Sequence, residues 1–456
     1  MRKQAVKSDP IDHFDREFSG DTFEQYMLGM IFMHLVNSKF LQSKPVLILG
    51  LFILLVGEES AEKVFRQYKN AVRMMKMMQS NNLIDRIYPI NNTDALEIAK
   101  KSALPIMQEV MRSMSREKAE NESILYGRVQ TIRQRFDLGE IETDMLMLIH
   151  IIRNGAAKEL FSNDHRGYDF ESVMRFKTQG CILLGIQRVE WLRTFCDISK
   201  KNYSPIKITN NHIDIDEEIN LFLSGMGGDE FKSHYYTDDN DERLSIDDFG
   251  RRKEERAVLE ALLTSNSSCN ILLYGAPGAG KTSFGRALVK HVKKELLTVR
   301  VPDEDGRRNF ANAVGATVLL ANAMKSVILV DEADEMLNSR DSFFFKGTAS
   351  KSWVNNLLDS HGKKVLWIVN RTSEIDPSSM RRFDITLEFK DLSESKRITI
   401  LERELRQRGL TGKVPLDQIT NLCRTFSVNA DGILKAVNLI DWEQEKDPIF
   451  ALEKVR

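Results

Sequence analysis

The chain of 456 residues is long enough for roughly three domains, each with its own buried core. Hydrophobic residues make up 42% of it and charged residues 29%, which is typical of an ordinary globular protein. The formal net charge of −1 argues against binding nucleic acid through the overall charge of the molecule.

The cysteines and the N-terminus bear on the compartment. Cys181, Cys196, Cys269 and Cys423 have neither metal-ligand spacing nor a disulfide rhythm. We expect them to be small buried apolar residues in a reducing cytosol. The first ten residues lack the apolar core of a secretion signal. The sequence therefore predicts a cytoplasmic protein without membrane contact.

One segment raises the question of a membrane span. The run from Val46 to Val56 is apolar apart from Gly50, and Pro45 precedes it. As a helix it would be about 18 Å long, against about 30 Å for the hydrocarbon core of a bilayer. We therefore interpret it as a helix buried in a helical domain.

Helical periodicity dominates residues 1–120, which we interpret as a helical N-terminal domain. An amphipathic stretch is predicted over Glu59–Gln79. A further helix is predicted from Asp94 to Lys118, and the segment Asn91–Asp94 supplies its start signal.

Residues 121–225 are mainly helical too, with two short strands predicted over Tyr203–Thr209 and Ile213–Ile215. With the helices Gln187–Lys200 and Glu217–Leu223 they would form a winged-helix-like module. The candidate recognition helix mixes charges of both signs, so we favour a structural or protein-binding role over DNA binding. Its charged residues are Arg188, Glu190, Arg193, Asp197, Lys200 and Lys201.

A glycine-rich and then acidic stretch, residues 226–244, is interpreted as a flexible linker. Apolar strands and helices alternate after it, which is typical of a parallel α/β sheet.

The segment after the predicted strand Ile271–Tyr274 matches the pattern G-x-x-x-x-G-K-[ST] and precedes a predicted helix. Its glycines allow successive N–H groups to converge on phosphate oxygens, and the dipole of the helix points at the same place. Lys281 would reach the β- and γ-phosphates, and Thr282 would ligate Mg²⁺. The segment reads Gly275, Ala276, Pro277, Gly278, Ala279, Gly280, Lys281 and Thr282, followed by Ser283.

Two acids follow the next buried strand, Val327–Val330. Carboxylates in this position lie at the carboxyl edge of a parallel sheet, where ligands bind. Asp331 would hold Mg²⁺, and Glu332 would polarise the water that attacks the γ-phosphate.

The strand Val365–Val369 ends in Asn370, whose amide could orient that water. Arg381 and Arg382 lie on a later turn, either as a solvated pair or as fingers inserted into the nucleotide site of a neighbour.

These motifs together resemble the AAA branch of the AAA+ ATPase superfamily. The resemblance implies a base over residues 245–390 and a helical lid over 391–456. It implies that Asn370 is the sensor-1 residue, that Arg381 and Arg382 act in trans, and that Ile246–Gly250 contacts adenine. It also implies a ring of subunits, usually a hexamer. The N-terminal half resembles, more loosely, the helical and wing regions that precede the module in some large bacterial AAA proteins.

The sequence departs from the family pattern in two places. Residues 302–310 lack the aromatic–aliphatic–glycine tripeptide of threading members, although the cluster Phe343–Gly347 could contact a substrate or pack against the base or a neighbour. The stretch 429–435 has no arginine at the usual sensor-2 position, where Lys435 is the nearest cation.

The sequence thus predicts an α/β P-loop protein with a mainly α N-terminal region. Its expected function is Mg²⁺-dependent ATP hydrolysis by a homo-oligomer that remodels a macromolecular partner, and a protein partner is favoured over nucleic acid. Two alternatives remain open: a slow switch in a signalling or defence assembly, and a DNA-binding or DNA-loading ATPase.

Overall fold

The computed structural model describes residues 20–38, 45–78, 80, 83–161, 172–201, 203–209, 211–226, 229–238, 245–249, 253–300, 306–337, 351–360, 362–390, 393–407, 409, 416–425, 433 and 437. The chain divides into two compact units, Met1–Phe231 and Lys232–Arg456. The predicted five-part division stays a prediction. Among the described residues, no helix is both long enough and apolar enough to cross a membrane.

The described part of the first unit consists of helices and one hairpin. The helices are α1 (Thr22–Asn37), α2 (Pro45–Val56), α3 (Glu58–Phe65), α4 (Lys69–Met75), α5 (Leu83–Arg86), α6 (Asn92–Ile98), α7 (Leu104–Ser113), α8 (Arg116–Glu122), α9 (Ile124–Phe136), α10 (Glu140–Asn154), α11 (Lys158–Phe161), α12 (Val173–Leu184), α13 (Arg188–Ile198) and α14 (Glu217–Leu223). Helix α1 packs against α2, α7, α8 and α12.

The apolar run at 46–56 is a core helix, as predicted. All residues of α2 are buried except Val46 and Leu54, which are half-buried. A helix that is apolar on every side is stable only when protein surrounds it on every side.

Two predicted helices are shorter than expected. The stretch over 59–79 breaks at Tyr68, which is extended between α3 and α4. The predicted helix 94–118 begins earlier, passes through a π-helical turn at Ala99–Ala103 and ends at Ser113. Pro105, at the start of α7, lacks the N–H that a regular helix would use, and a wider turn accommodates such a gap. Ser115 then caps a new helix, because its hydroxyl accepts from the Lys118 N–H at 3.2 Å.

The hairpin joins β1 (Ile206–Ile208) to β2 (Ile213–Ile215) as antiparallel partners, and Ile206 pairs with Ile215. The strands and the flanking helices α13 and α14 lie within the predicted ranges, although β1 is shorter than the strand predicted over 203–209. Arg153 of α10 fixes the hairpin, since it donates to the Ile213 carbonyl at 2.9 Å and pairs with Asp214 at 2.6 Å.

The second unit is built on a six-stranded sheet. The strands are β3 (Tyr236–Thr237), β4 (Cys269–Gly275), β5 (Glu295–Val299), β6 (Ser326–Val330), β7 (Lys364–Val369) and β8 (Ile385–Phe389). Their spatial order is β3-β5-β6-β7-β4-β8, with β3 antiparallel to β5 and the other pairs parallel. The α/β sheet class predicted from the sequence is therefore correct.

The described part of the second unit also contains helices. They are α15 (Lys253–Thr264), α16 (Lys281–His291), α17 (Gly306–Leu320), α18 (Asp334–Leu337), α19 (Lys351–Ser360), α20 (Pro377–Met380), α21 (Glu394–Gln407) and α22 (Leu416–Thr425). Phe284 and Leu288 of α16 are fully buried in the core that α16 shares with β4, β6 and β7. Gly285 lets α16 approach the sheet closely, since a Cβ there would lie 3.3 Å from a methyl of Leu329. This packing fixes the start of α16 above the end of β4.

The prediction that all four cysteines are buried is wrong for one of them. Cys181, Cys269 and Cys423 are buried, but Cys196 is exposed. It lies on the outer face of α13, whose inner face carries Trp191, Phe195 and Ile198. The period of a helix therefore points Cys196 away from the core.

Candidate functional site

The glycine-rich loop connects β4 to α16 in a conformation that needs its glycines. Gly275, Gly278 and Gly280 have φ values of 144°, 75° and 84°, which disfavour any side chain. A Cβ on Gly275 would lie 2.0 Å from the Phe389 carbonyl oxygen. These glycine conformations allow main-chain N–H groups of the loop to face an anion. Ala276, Pro277 and Ala279 occupy the other loop positions, and Ser283 follows in α16.

Lys281, the first residue of α16, is buried under this loop. Its Nζ donates to the carbonyls of Gly275 at 2.7 Å and Ala276 at 2.9 Å, and to Asn370 Oδ1 at 3.0 Å. Burial lowers the pKa of Lys281, and the carboxylates of Asp331 and Asp334 act against that shift. The ammonium group is therefore held at the loop and aligned with the end of β7.

Thr282 and Asp331 meet across the carboxyl edge of the sheet. The Thr282 hydroxyl donates to Asp331 Oδ2 at 2.8 Å. A hydroxyl and a carboxylate oxygen are donors that Mg²⁺ prefers, and Mg²⁺ in nucleotide sites takes few protein ligands besides phosphates and water. The pair fits the predicted metal role of both residues.

Glu332 follows directly, with an exposed side chain and a left-handed backbone at φ 53°. Its N–H donates to Asp331 Oδ1 at 3.0 Å. A non-glycine residue in this region is strained by about 1–3 kcal/mol, and such strain is concentrated at functional sites. Glu332 is thus exposed shortly after the end of β6, in a strained backbone conformation.

Asn370 ends β7 beside these acids and is held by Asp334. Asp334 Oδ1 accepts from the Asn370 N–H at 2.8 Å and from the Arg371 N–H at 3.3 Å. Its Oδ2 accepts from the Asn370 side-chain amide at 3.2 Å. These bonds fix which atom of the amide is oxygen, and that oxygen faces Lys281. Asp334 lies only three residues after Asp331, but the sequence analysis assigned it no role.

The two adjacent arginines lie away from these residues, on the turn between α20 and β8. Arg382 donates through Nε to Asp359 Oδ1 at 2.7 Å and through Nη1 to the Ser378 carbonyl. Arg381 is exposed, and no hydrogen bond or ion pair of its guanidinium occurs in the described part of the chain. The structure brings neither arginine together with Lys281 within this chain.

The segment predicted to contact adenine lies next to the loop. Ile246–Phe249 forms a 3₁₀ turn, and the ring of Phe249 packs edge-on at 5.4 Å from Phe284. A Cβ on Gly280 would lie 3.5 Å from Phe249, so this turn borders the glycine-rich loop. Gly250 lies outside the described residues.

Several predicted features fall outside the described residues. They are residues 301–305 of the segment after β5, the aromatic cluster at 343–347 and Lys435. Within the stretch 429–435, Ile433 alone is described, and it is buried.

Comparison with known proteins finds a family match within the second unit. Residues 271–391 match the family model for the ATPase family associated with various cellular activities (AAA). A putative 26S proteasome regulatory subunit homolog of Methanocaldococcus jannaschii is 27% identical over 168 residues, which cover 35% of this chain and 45% of that protein. An uncharacterized AAA domain-containing protein of Schizosaccharomyces pombe is 33% identical over 172 residues, covering 34% of this chain and 22% of its own.

A third relative is the cell division control protein 48 homolog B of Arabidopsis thaliana. It is 30% identical over 180 residues, covering 35% of this chain and 29% of that protein. The chain thus spans less than half the length of each of these relatives. The matched region contains the glycine-rich loop, the acids after β6, Asn370 and both arginines. Residues 271–391 therefore carry an AAA ATPase domain.

Proposed function

We propose that the chain binds ATP with Mg²⁺ and hydrolyses its γ-phosphate. The observation that carries the proposal is the convergence of Lys281, Asn370 and the Thr282–Asp331 pair beside one glycine-rich loop, with contacts of 2.7 to 3.0 Å. Main-chain N–H groups of the loop and the Lys281 ammonium would bind the phosphates.

The same residues suggest how the reaction proceeds. Thr282 and Asp331 would hold Mg²⁺, which neutralises charge on the β- and γ-phosphate oxygens when it is bound. Glu332 would accept a proton from the attacking water, and its exposed carboxylate leaves room for that water. Asn370, fixed by Asp334, would orient the water. Positioning and charge supply most of the rate enhancement in reactions of this class.

We further propose that the chain acts as a homo-oligomeric ring, a hexamer as the family resemblance implies, in which a neighbour completes each site. Support comes from the turn between α20 and β8 that carries Arg381 and Arg382, which we call the arginine turn. Among the described residues, neither guanidinium group forms a hydrogen bond with Lys281 or Asn370. The proposed partner is a protein that the ring remodels, since the Methanocaldococcus and Arabidopsis relatives carry proteasome-regulatory and cell-division names. The proposed compartment is the cytoplasm, and the four free cysteines are in keeping with its reducing conditions.

A slow ATP-hydrolysing switch is the second candidate. The observation that favours it is the absence of an aromatic–aliphatic–glycine tripeptide from residues 302–310. A switch would hydrolyse ATP well below the rates of about 1 s⁻¹ or more that are typical of enzymes, and a protein partner would change its lifetime rather than be remodelled.

Phosphate release from Mg·ATP tests the proposal. The wild-type chain should release phosphate, Lys281→Ala should lose nucleotide binding, and Glu332→Gln should bind ATP without turning it over. Size-exclusion mass with ADP, with ATP and with ATP plus DNA reports assembly and the DNA-loading alternative. Failure of the folded wild-type chain to bind or hydrolyse adenine nucleotides would refute the proposal.

A further inference from the structure

We infer that Asn270 is a positioning residue for the arginine turn, and that it presents Arg381, rather than Arg382, to a neighbouring subunit. The inference rests on the proposed function, because it names the residues that would complete the site of the neighbour.

The two arginines differ in their freedom. The Arg382 guanidinium is tied to Asp359 at 2.7 Å and to the Ser378 carbonyl within its own chain. Moving it into another subunit would break both bonds. Arg381 is exposed, and its guanidinium bonds to nothing in the described residues, so it can reach a neighbour at no such cost. Arg382 therefore braces the turn while Arg381 points outward from it.

The buried side chain of Asn270 forms a hydrogen bond to that turn. It is the second residue of β4 and only 4% exposed. Its side-chain amide donates to the Arg382 carbonyl at 3.2 Å and to the Leu358 carbonyl at 2.9 Å, while its oxygen accepts from Trp367 Nε1 at 2.9 Å. One buried amide thus joins the turn to α19 and to β7. A buried polar network holds its geometry firmly, because each unmade bond would be costly.

The backbone of Asn270 fixes the far end of the same turn. Its N–H donates to Asp384 Oδ2 at 2.7 Å, and its carbonyl accepts from the Asp384 N–H at 2.9 Å. Residues 382 and 384 are therefore both attached to position 270. This pins Phe383 between them, and its ring packs edge-on against Trp367.

The position of this network explains why the arginine would act on another copy. Asn270 lies at the amino end of β4, and Gly275, the start of the glycine-rich loop, lies at the other end. Five strand residues separate the two ends by about 16 Å, farther than an arginine side chain extends. Arg381, one residue from the Asn270-bound Arg382, thus cannot reach the loop of its own chain.

The experiment compares Asn270→Ala, Arg381→Ala and Arg382→Ala in the full chain. Asn270→Asp serves as a second variant, since it keeps the acceptor for Trp367 and removes the N–H donors to the Arg382 and Leu358 carbonyls. Affinity for N-methylanthraniloyl-ADP, thermal unfolding and phosphate release are measured for each variant alone. Each is then mixed in several ratios with Lys281→Ala, which retains an intact arginine turn.

We expect nucleotide affinity within about threefold of wild type for all variants, because none touches the glycine-rich loop. Arg381→Ala should lose at least about 100-fold in turnover, and Asn270→Ala at least about tenfold, whereas Arg382→Ala should lose less than Arg381→Ala. Mixing with Lys281→Ala should restore activity to Arg381→Ala and Asn270→Ala. A purely structural defect in Asn270→Ala would not respond to mixing.

Three results would overturn the inference while leaving ATP hydrolysis by the wild-type chain intact. They are an Asn270 variant that loses activity without rescue at any ratio, one that loses nucleotide affinity, and an Arg382→Ala variant more impaired than Arg381→Ala. If both Asn270 variants unfold, the comparison of Arg381→Ala with Arg382→Ala still decides which arginine acts in trans. Absence of hydrolysis in the wild-type chain would instead refute the proposed function.

Discussion

Asp334 holds Asn370 at two points, accepting from its backbone N–H at 2.8 Å and from its side-chain amide at 3.2 Å. The second bond decides the orientation of an amide that would otherwise be free to flip. The amide oxygen is consequently available to Lys281, and a flipped amide would place an N–H against that ammonium group.

Asp334→Ala should therefore lower kcat by at least about tenfold while nucleotide affinity stays within about threefold of wild type, because orientation is lost and the phosphate loop is intact. The kcat of Asp334→Asn should lie between those of wild type and Asp334→Ala, since its side chain can still accept from the Asn370 backbone N–H. Steady-state phosphate release and nucleotide titration measure both quantities. Glu254→Ala, an exposed acid on α15, is the control. Equal kcat values for all four proteins would contradict the role of Asp334.

Gly275→Ala should destabilise the second unit by about 3 kcal/mol or more, because the Phe389 carbonyl occupies the place of the new Cβ and φ is unfavourable. Gly127→Ala is the matched control. Gly127 lies in α9, and no atom is found within 4 Å of its added Cβ. That change should be neutral or stabilise by about 1 kcal/mol. Differential scanning calorimetry measures the change in melting temperature of both variants. Similar melting temperatures for Gly275→Ala and Gly127→Ala would contradict this account of the loop.

Asp144 of α10 makes stability depend on pH. Burial raises its pKa from 3.8 to about 6, Arg116 and Arg133 lower it, and Glu140 raises it further. The folded state thus binds a proton more tightly than the unfolded state. The stability contributed by the protonated carboxyl is fully present below pH 3.8 and is lost as pH rises through about 6.

Asp144→Asn should then stabilise the first unit at pH 7.5 by about 1–2 kcal/mol, a range already discounted for partial exposure. At pH 4 the gain should nearly vanish. Urea midpoints read from hydrogen exchange in α10 peptides at the two pH values provide the measurement. Asp197→Asn, an exposed acid on α13, is the control. A gain of the same size at both pH values would show that charge burial is not the cause.

Cys196 should be the fast-reacting thiol of the native chain among the four cysteines. The thiolate is the reactive form of a cysteine. Burial raises the pKa of Cys269 and of Cys423 to about 11, so these thiols are mostly protonated near neutral pH and react slowly. Labelling with a thiol–disulfide reagent at pH 8 should show one rapid phase. Cys196→Ser should remove it, and Cys181→Ser should leave it unchanged. A rapid phase that survives Cys196→Ser would contradict the burial of the others.

The site was largely predictable because each motif follows a buried strand. Apolar runs before Gly275, Asp331 and Asn370 placed all three at one edge of a parallel sheet, and the structure places them there. The roles of Asp334 and Asn270 could not be predicted in this way. Each acts on a residue more than thirty positions away, and such a partner becomes known only when the strand order is known.

Helix ends in the first unit were harder to predict. Periodicity continues across Tyr68 and across residues 99–115, so it gives no sign of the breaks there. Pro105 was the local signal, but proline is tolerated in the first turn of a helix and disrupts one only in the interior. Cys196 was misjudged for a different reason, because the prediction came from residue type, and the face of α13 on which a residue lies decides its exposure.

The left-handed backbone at Glu332 has a consequence for engineering. Glycine at this position would relax the chain by about 1 kcal/mol. A library screened for heat tolerance alone would therefore enrich glycine there and recover sturdier proteins without the carboxylate. Selection for stability would favour glycine at position 332, whereas selection for turnover would favour glutamate. Such a trade-off is found where function requires a residue in a strained conformation.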